Sequence, residues 1–191
     1  MTMYDSLRLT RRREAYCLPT WCILVTISLA VILSGCVASK QPLFDRSKSV
    51  IPVADGMFLV EKLNEHGHWV KDTTIKLTHD GRVYKIHSDK DRAFTLHEIG
   101  KDLYVGVWMG DFNASVHNKM FIYALIQKQN ESYLYYQPTC DDFQYLRLPN
   151  SLRPLIDGGL CVYDNRTKLV QALRLYARIS NPDKRYTRLK P

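Results

Sequence analysis

Between Val53 and Tyr136, apolar and polar residues alternate in short runs broken by turn formers, and β-branched and aromatic side chains are frequent. That pattern predicts a series of strands. Asp80-Gly81 suits a two-residue hairpin turn, since both residues tolerate positive φ. Such a turn sets Leu77 against Tyr84 and Ile75 against Ile86 on one face, and Lys76 against Lys85 on the other, where like charges must be wet or meet an anion. Gly100-Lys101 predicts a second turn, with Phe94 facing Val107, Leu96 facing Val105, and His97 and Tyr104 on a more polar face. The run Met120 to Ile126 is apolar without alternation, as expected of a central strand covered on both sides. Tyr133 to Tyr136 forms a further strand that Pro138 ends, with Tyr133 and Tyr135 on a common face.

The last third changes character. Asp141 to Gly159, with Pro149, Pro154 and Gly158-Gly159, reads as a long loop holding at most a short turn of helix. Asp164 or Asn165 can cap a helix over Leu169 to Ile179, whose Leu169, Ala172, Leu173 and Tyr176 recur at helical spacing and predict a stripe packed on the sheet. Asn181-Pro182 stops it. The expected class is mainly β with some α: an antiparallel meander, open or partly closed into a barrel, with one C-terminal helix packed on it.

At the other end, polar residues with Arg8, Arg11, Arg12 and Arg13 precede an apolar segment from Cys17 to Leu33, followed by Leu33-Ser34-Gly35-Cys36. This layout resembles the signal peptide and lipobox of bacterial lipoproteins. The resemblance covers only these first residues. It implies cleavage between Gly35 and Cys36 and lipidation of the Cys36 thiol, hence a membrane partner through Cys36. The implied organisation is a signal peptide over 1–35, a tether over 36–52 and one domain over 53–191. Val37 after Cys36, in place of a retaining aspartate, points to the periplasmic face of the outer membrane.

The 191-residue chain carries a net charge of +8, which favours anionic neighbours. In a bacterial envelope these are anionic lipid, acidic polysaccharide or peptidoglycan; nucleic acid fits the charge but not the address. Arg174 and Arg178 on the helix, with Lys184, Arg185, Arg188 and Lys190 in a basic tail, form the candidate anionic contact. Once Cys17 and Cys22 leave with the signal and Cys36 is lipidated, Cys140 and Cys161 remain as an expected disulfide. His66 and His68 could chelate a metal with His79, His87 or His117, but Gly67 favours a turn with both imidazoles in water. No phosphate loop, nucleophile elbow or paired-carboxylate motif stands in the sequence, and no motif requires a cofactor. The expectation is a non-enzymatic, lipid-anchored envelope protein. The alternative is a lipocalin-like barrel binding a small molecule or glycan, with Tyr84, Tyr104 or Tyr123 lining a closed pocket, or an envelope hydrolase on the same sheet.

Overall fold

Strand-forming runs dominate the computed structural model, which describes residues 35–87, 92–111 and 119–190, all within the compact unit Ser34–Pro191. In chain order the elements are β1 (Val37–Ser39), β2 (Gly56–Leu63), β3 (Trp69–Asp80), β4 (Val83–His87), β5 (Arg92–Gly100), β6 (Leu103–Asp111), β7 (Lys119–Gln129) and β8 (Ser132–Tyr136). Then follow α1 (Cys140–Tyr145), β9 (Leu155–Asp157), β10 (Leu160–Val162), α2 (Arg166–Ile179) and β11 (Lys184–Arg188). Neighbours run β6-β5-β4-β3-β2-β11-β8-β7, and β6 also pairs with β7, so eight antiparallel strands close into a barrel. Closure removes the exposed edges an open meander would leave. Outside the barrel, β1 lies antiparallel to the first half of β7 and parallel to β10, which pairs in turn with β9.

The helix behaves as its periodicity predicts. Asn165 caps α2 by accepting from the Lys168 amide, and Leu169, Ala172, Leu173 and Tyr176 are buried against the outer barrel wall. The basic stretch after it, expected as a tail, is instead β11, seated between β2 and β8. Its Tyr186 and Thr187 are good strand formers, and the gap between β2 and β8 supplies the backbone partners.

Both hairpin registers differ from expectation. The first turn is Gly81-Arg82, with Gly81 at φ 57°, so Leu77 faces Ile86 and Thr78 faces Lys85. A shift of two residues preserves the faces, and it removes the Lys76–Lys85 clash by setting Lys76 opposite His87. In the second hairpin a bulge between Glu98 and Gly100 inserts Ile99, and Asp102 takes the positive φ of 56°. Leu96 therefore faces Gly106, and His97 faces Val105. This one-residue slip sends Leu96 and Tyr104 into the barrel and Val105 and Val107 out against the helix layer. The two apolar sets belong to opposite faces. β7, with Tyr123, Ala124 and Leu125 fully buried, is covered on both sides as the sequence implies.

The segment expected as a tether is folded structure. Val37 and Ala38 are fully buried, and Phe44 stands against the rings of His97 and Tyr123 at centroid distances of 5.0 and 5.8 Å. Val50 bonds the edge of β5 beyond the reach of β4, its amide donating to the Leu96 carbonyl at 2.8 Å. The apolar residues of this segment have core sites to fill, which a free tether would leave in water.

Cys140 and Cys161 form the expected disulfide, with Cα atoms 5.2 Å apart. It ties the first residue of α1 to β10, where Cys161 pairs with Val37. Thr139 and Asp142 cap α1 reciprocally, so the helix start is fixed by side chains as well as by the bond.

Candidate functional site: the barrel interior

The interior is packed at one end and open at the other. At the end holding the Gly81-Arg82 turn, the Tyr84 ring stacks on Phe94 at 5.2 Å, and its hydroxyl accepts from the Val53 amide at 3.0 Å and donates to the Val53 carbonyl at 2.9 Å. Tyr133 donates to the Pro52 carbonyl at 3.1 Å. The chain before β2 is thereby laid across this end and closes it. Burial pushes the Tyr84 phenol up to about 12, so it stays protonated and the bond to Val53 persists across the neutral range.

Towards the other end lies a cavity of about 210 Å³. Its deep wall is apolar, with Phe58, Leu77 and Leu96 buried. Space exists because a small residue faces inward: Gly106 is among the lining residues, and the nearest atoms that a Cβ there would meet are Ile126 Cδ1, Leu96 Cδ2 and the Ala124 carbonyl, at 3.4 Å or more. A cavity of roughly 150 Å³ holds benzene, so this one has room for a short alkyl chain or a single ring. Exposure of Arg92 and Ala93 marks the open end, where Trp108, Tyr135, Gln137, Lys184 and Tyr186 also line the wall.

Polar groups concentrate at that mouth. Lys184 and Lys62 share one carboxylate, each ammonium 3.2 Å from Asp72, whose pKa is lowered chiefly by its bonds to these two lysines. Arg92 has no ion-pair partner among the described residues. Tyr135 donates to Gln137 Oε1 at 3.1 Å and meets Tyr186 edge-on at 6.1 Å. Burial pushes both phenols up, Tyr186 to about 12, so both are protonated near neutrality. Among the described lining residues there is no Ser, Thr, Cys, His, Asp or Glu.

Cys36, the expected lipidation site, stands beside this mouth. It is half-buried, bridges to Thr139, and its Sγ accepts from Gln137 Nε2 at 3.6 Å. Gly35 lies so close to the Gly159 backbone that no Cβ would fit there.

The other expected site residues are dispersed. Arg185 forms a bidentate pair with Glu61 at 2.7 and 2.8 Å and lies over the Trp69 ring at 4.9 Å, which satisfies its guanidinium within the barrel wall. Arg188, at the other end of β11, donates to the Asp55 carbonyl at 2.7 Å. Arg174 donates to the Ile99 carbonyl, while Arg178 is an exposed residue of α2. The six basic residues thus do not form one patch. Arg188 and Lys190, with Lys128, border a surface hollow of about 500 Å³ outside the closed end. That hollow is larger than the interior cavity and shares Phe58 and Tyr133 with it, but the charged Lys128, Glu131, Arg188 and Lys190 make half of its remaining wall, so it is a more polar surface than the barrel interior.

His66 and His68 are exposed in the β2–β3 turn, their amides donating to Asn64 Oδ1. Their imidazoles are separated from His79, which holds Asp55, and from His87, which bonds Thr78. His117 lies outside the described residues. No group of three His, Cys, Asp or Glu side chains suited to a metal occurs among the described residues. Of the tyrosines named as pocket lining, Tyr84 and Tyr104 face inward but belong to the packed cluster, and Tyr123 faces outward to Ser39. Tyr133 and Tyr135 do share the inward face and line the cavity. Arg92, Trp108, Gln137 and Tyr186 are the functional candidates that the sequence pattern did not single out. A strand reading of Lys184 to Arg188 would have put Lys184 and Tyr186 on one face.

No family model, no curated protein and no solved structure matches this chain.

Proposed function

We propose that this is a binding protein rather than an enzyme: a lipocalin-like barrel, anchored to a bacterial envelope membrane by lipidation at Cys36, that takes a small apolar or amphiphilic molecule into its interior. The observation that carries this reading is the one-ended cavity of about 210 Å³, apolar in depth and polar at its mouth. Among the described lining residues there is no Ser, Thr, Cys, His, Asp or Glu, burial keeps the Tyr135 and Tyr186 phenols protonated, and Lys184 is held by Asp72, which together favour binding over turnover. The position of Cys36 beside the mouth adds a geometric reason for an anchor there, since an acyl chain on that thiol would hold the opening close to the lipid surface.

Cavity and anchor can be tested separately. Titration of the Ser34–Pro191 unit with octanol, followed by Trp108 emission in a Trp69→Phe background, is expected to saturate. Gly106→Leu places its side chain in the cavity and is expected to abolish the response while the fold is retained. Saturation that survives this substitution would place the binding elsewhere. For the anchor, incorporation of a fatty-acid probe in cells is expected to vanish in Cys36→Ala, and unchanged labelling would refute it.

A further inference from the structure

Resting on that reading, we infer that the barrel selects single-chain amphiphiles with an anionic head, of which a medium-chain fatty carboxylate is the simplest, and that Arg92 and Lys184 recognise the head. The apolar floor of Phe58, Leu77 and Leu96 accounts for a chain but sets no head group. The mouth does. Two lysines share the single Asp72 carboxylate, so their positive charge is only half neutralised, and Arg92 adds another cation with no ion pair among the described residues. The Tyr186 hydroxyl also has no hydrogen-bond partner among the described residues, and with its phenol protonated it can donate to an oxyanion. A carboxylate at this position receives charge-assisted bonds from Arg92 and Lys184 with its chain directed inward. An alkyl ammonium there would meet three cations against the single Asp72 carboxylate.

The unit Ser34–Pro191 contains all three apolar clusters, so it can be titrated without membrane or detergent, either of which would compete for the ligand. The comparison uses octanoate, octanol and octylamine at low and high salt. Octanoate is expected to bind about tenfold more tightly than octanol, the scale of one charge-assisted hydrogen bond, and octylamine more weakly than either. Arg92→Gln and Lys184→Gln should each reduce the octanoate preference and leave octanol affinity in place. Asp72→Asn, which frees both lysines, should act in the opposite direction and tighten octanoate alone. High salt should narrow the preference. Equal binding of octanoate and octanol, or a preference unmoved by all three substitutions, overturns the inference and leaves the cavity reading standing. If none of the three probes binds, the cavity reading itself fails.

Discussion

The two faces of the β5–β6–β7 wall carry comparable apolar side chains and meet different fates. Outward, Val105, Val107, Tyr123 and Leu125 are covered by Leu169, Ala172, Leu173 and Tyr176 of α2, together with Val37 and Phe44 from the N-terminal segment. Inward, Leu96 and Ile126 look across Gly106 into a space that no side chain fills. The outer face is finished by the N-terminal segment, which precedes the barrel, and by α2, which is inserted between barrel strands β8 and β11. The inner face is left unfinished by one glycine. Filling an apolar space stabilises a fold, and leaving it open forgoes that gain, which is the contrast on which the proposed binding role rests.

This contrast can be broken from either side, and the largest effects belong to the outer face. Leu173 is fully buried, so Leu173→Ala is expected to lower stability by about 2 to 5 kcal/mol in chemical denaturation. Leu96→Ala only enlarges existing space and should fall at the low end of that range, with bulkier alcohols gaining affinity. A larger loss at Leu96 than at Leu173 would contradict the asymmetry. Next in size is the Cys140–Cys161 bond on the outer layer, whose removal by Cys140→Ala with Cys161→Ala is expected to cost roughly 3 kcal/mol in the chain-entropy estimate. Octanol binding should persist in that double variant wherever it remains folded.

The smallest effect concerns acid. His97, buried on the outer face against Phe44, has its pKa lowered by burial first and by nearby Arg166 second. The folded protein therefore binds this proton less readily than the unfolded chain. The contribution of the neutral ring is complete above the unfolded value of about 6.5 and is lost as pH falls through the lowered folded value. Denaturation curves at stepped pH should show the wild type losing stability on acidification more steeply than His97→Phe. Parallel pH profiles would remove His97 as the cause.

What the sequence disclosed follows the same division. The α2 stripe, the disulfide and the doubly covered β7 were legible because each rests on local spacing: helical recurrence, an even pair of thiols, an uninterrupted apolar run. The inward face of β5 and β6 was not legible, since a single bulged residue, Ile99, exchanges the two faces, and nothing in the alternation marks where that residue is inserted. Barrel closure depends on β11, whose Lys184, Arg185 and Arg188 look like solvated charge until Glu61, Asp72 and the Asp55 carbonyl are placed beside them. The stretch from Val37 to Pro52 lacks a strand-length pattern, and only long-range contacts with His97, Tyr123 and Leu96 reveal its place in the fold.

The most direct test of the open inner face is to locate a bound chain by nuclear Overhauser effects between octanoate and assigned methyl groups. Contacts to Leu77, Leu96 and Ile126, with none to Leu125 or Leu173, are the expected result. Contacts confined to the exposed Leu155 and Ile156 on β9, or to the outer layer beneath α2, would contradict the account.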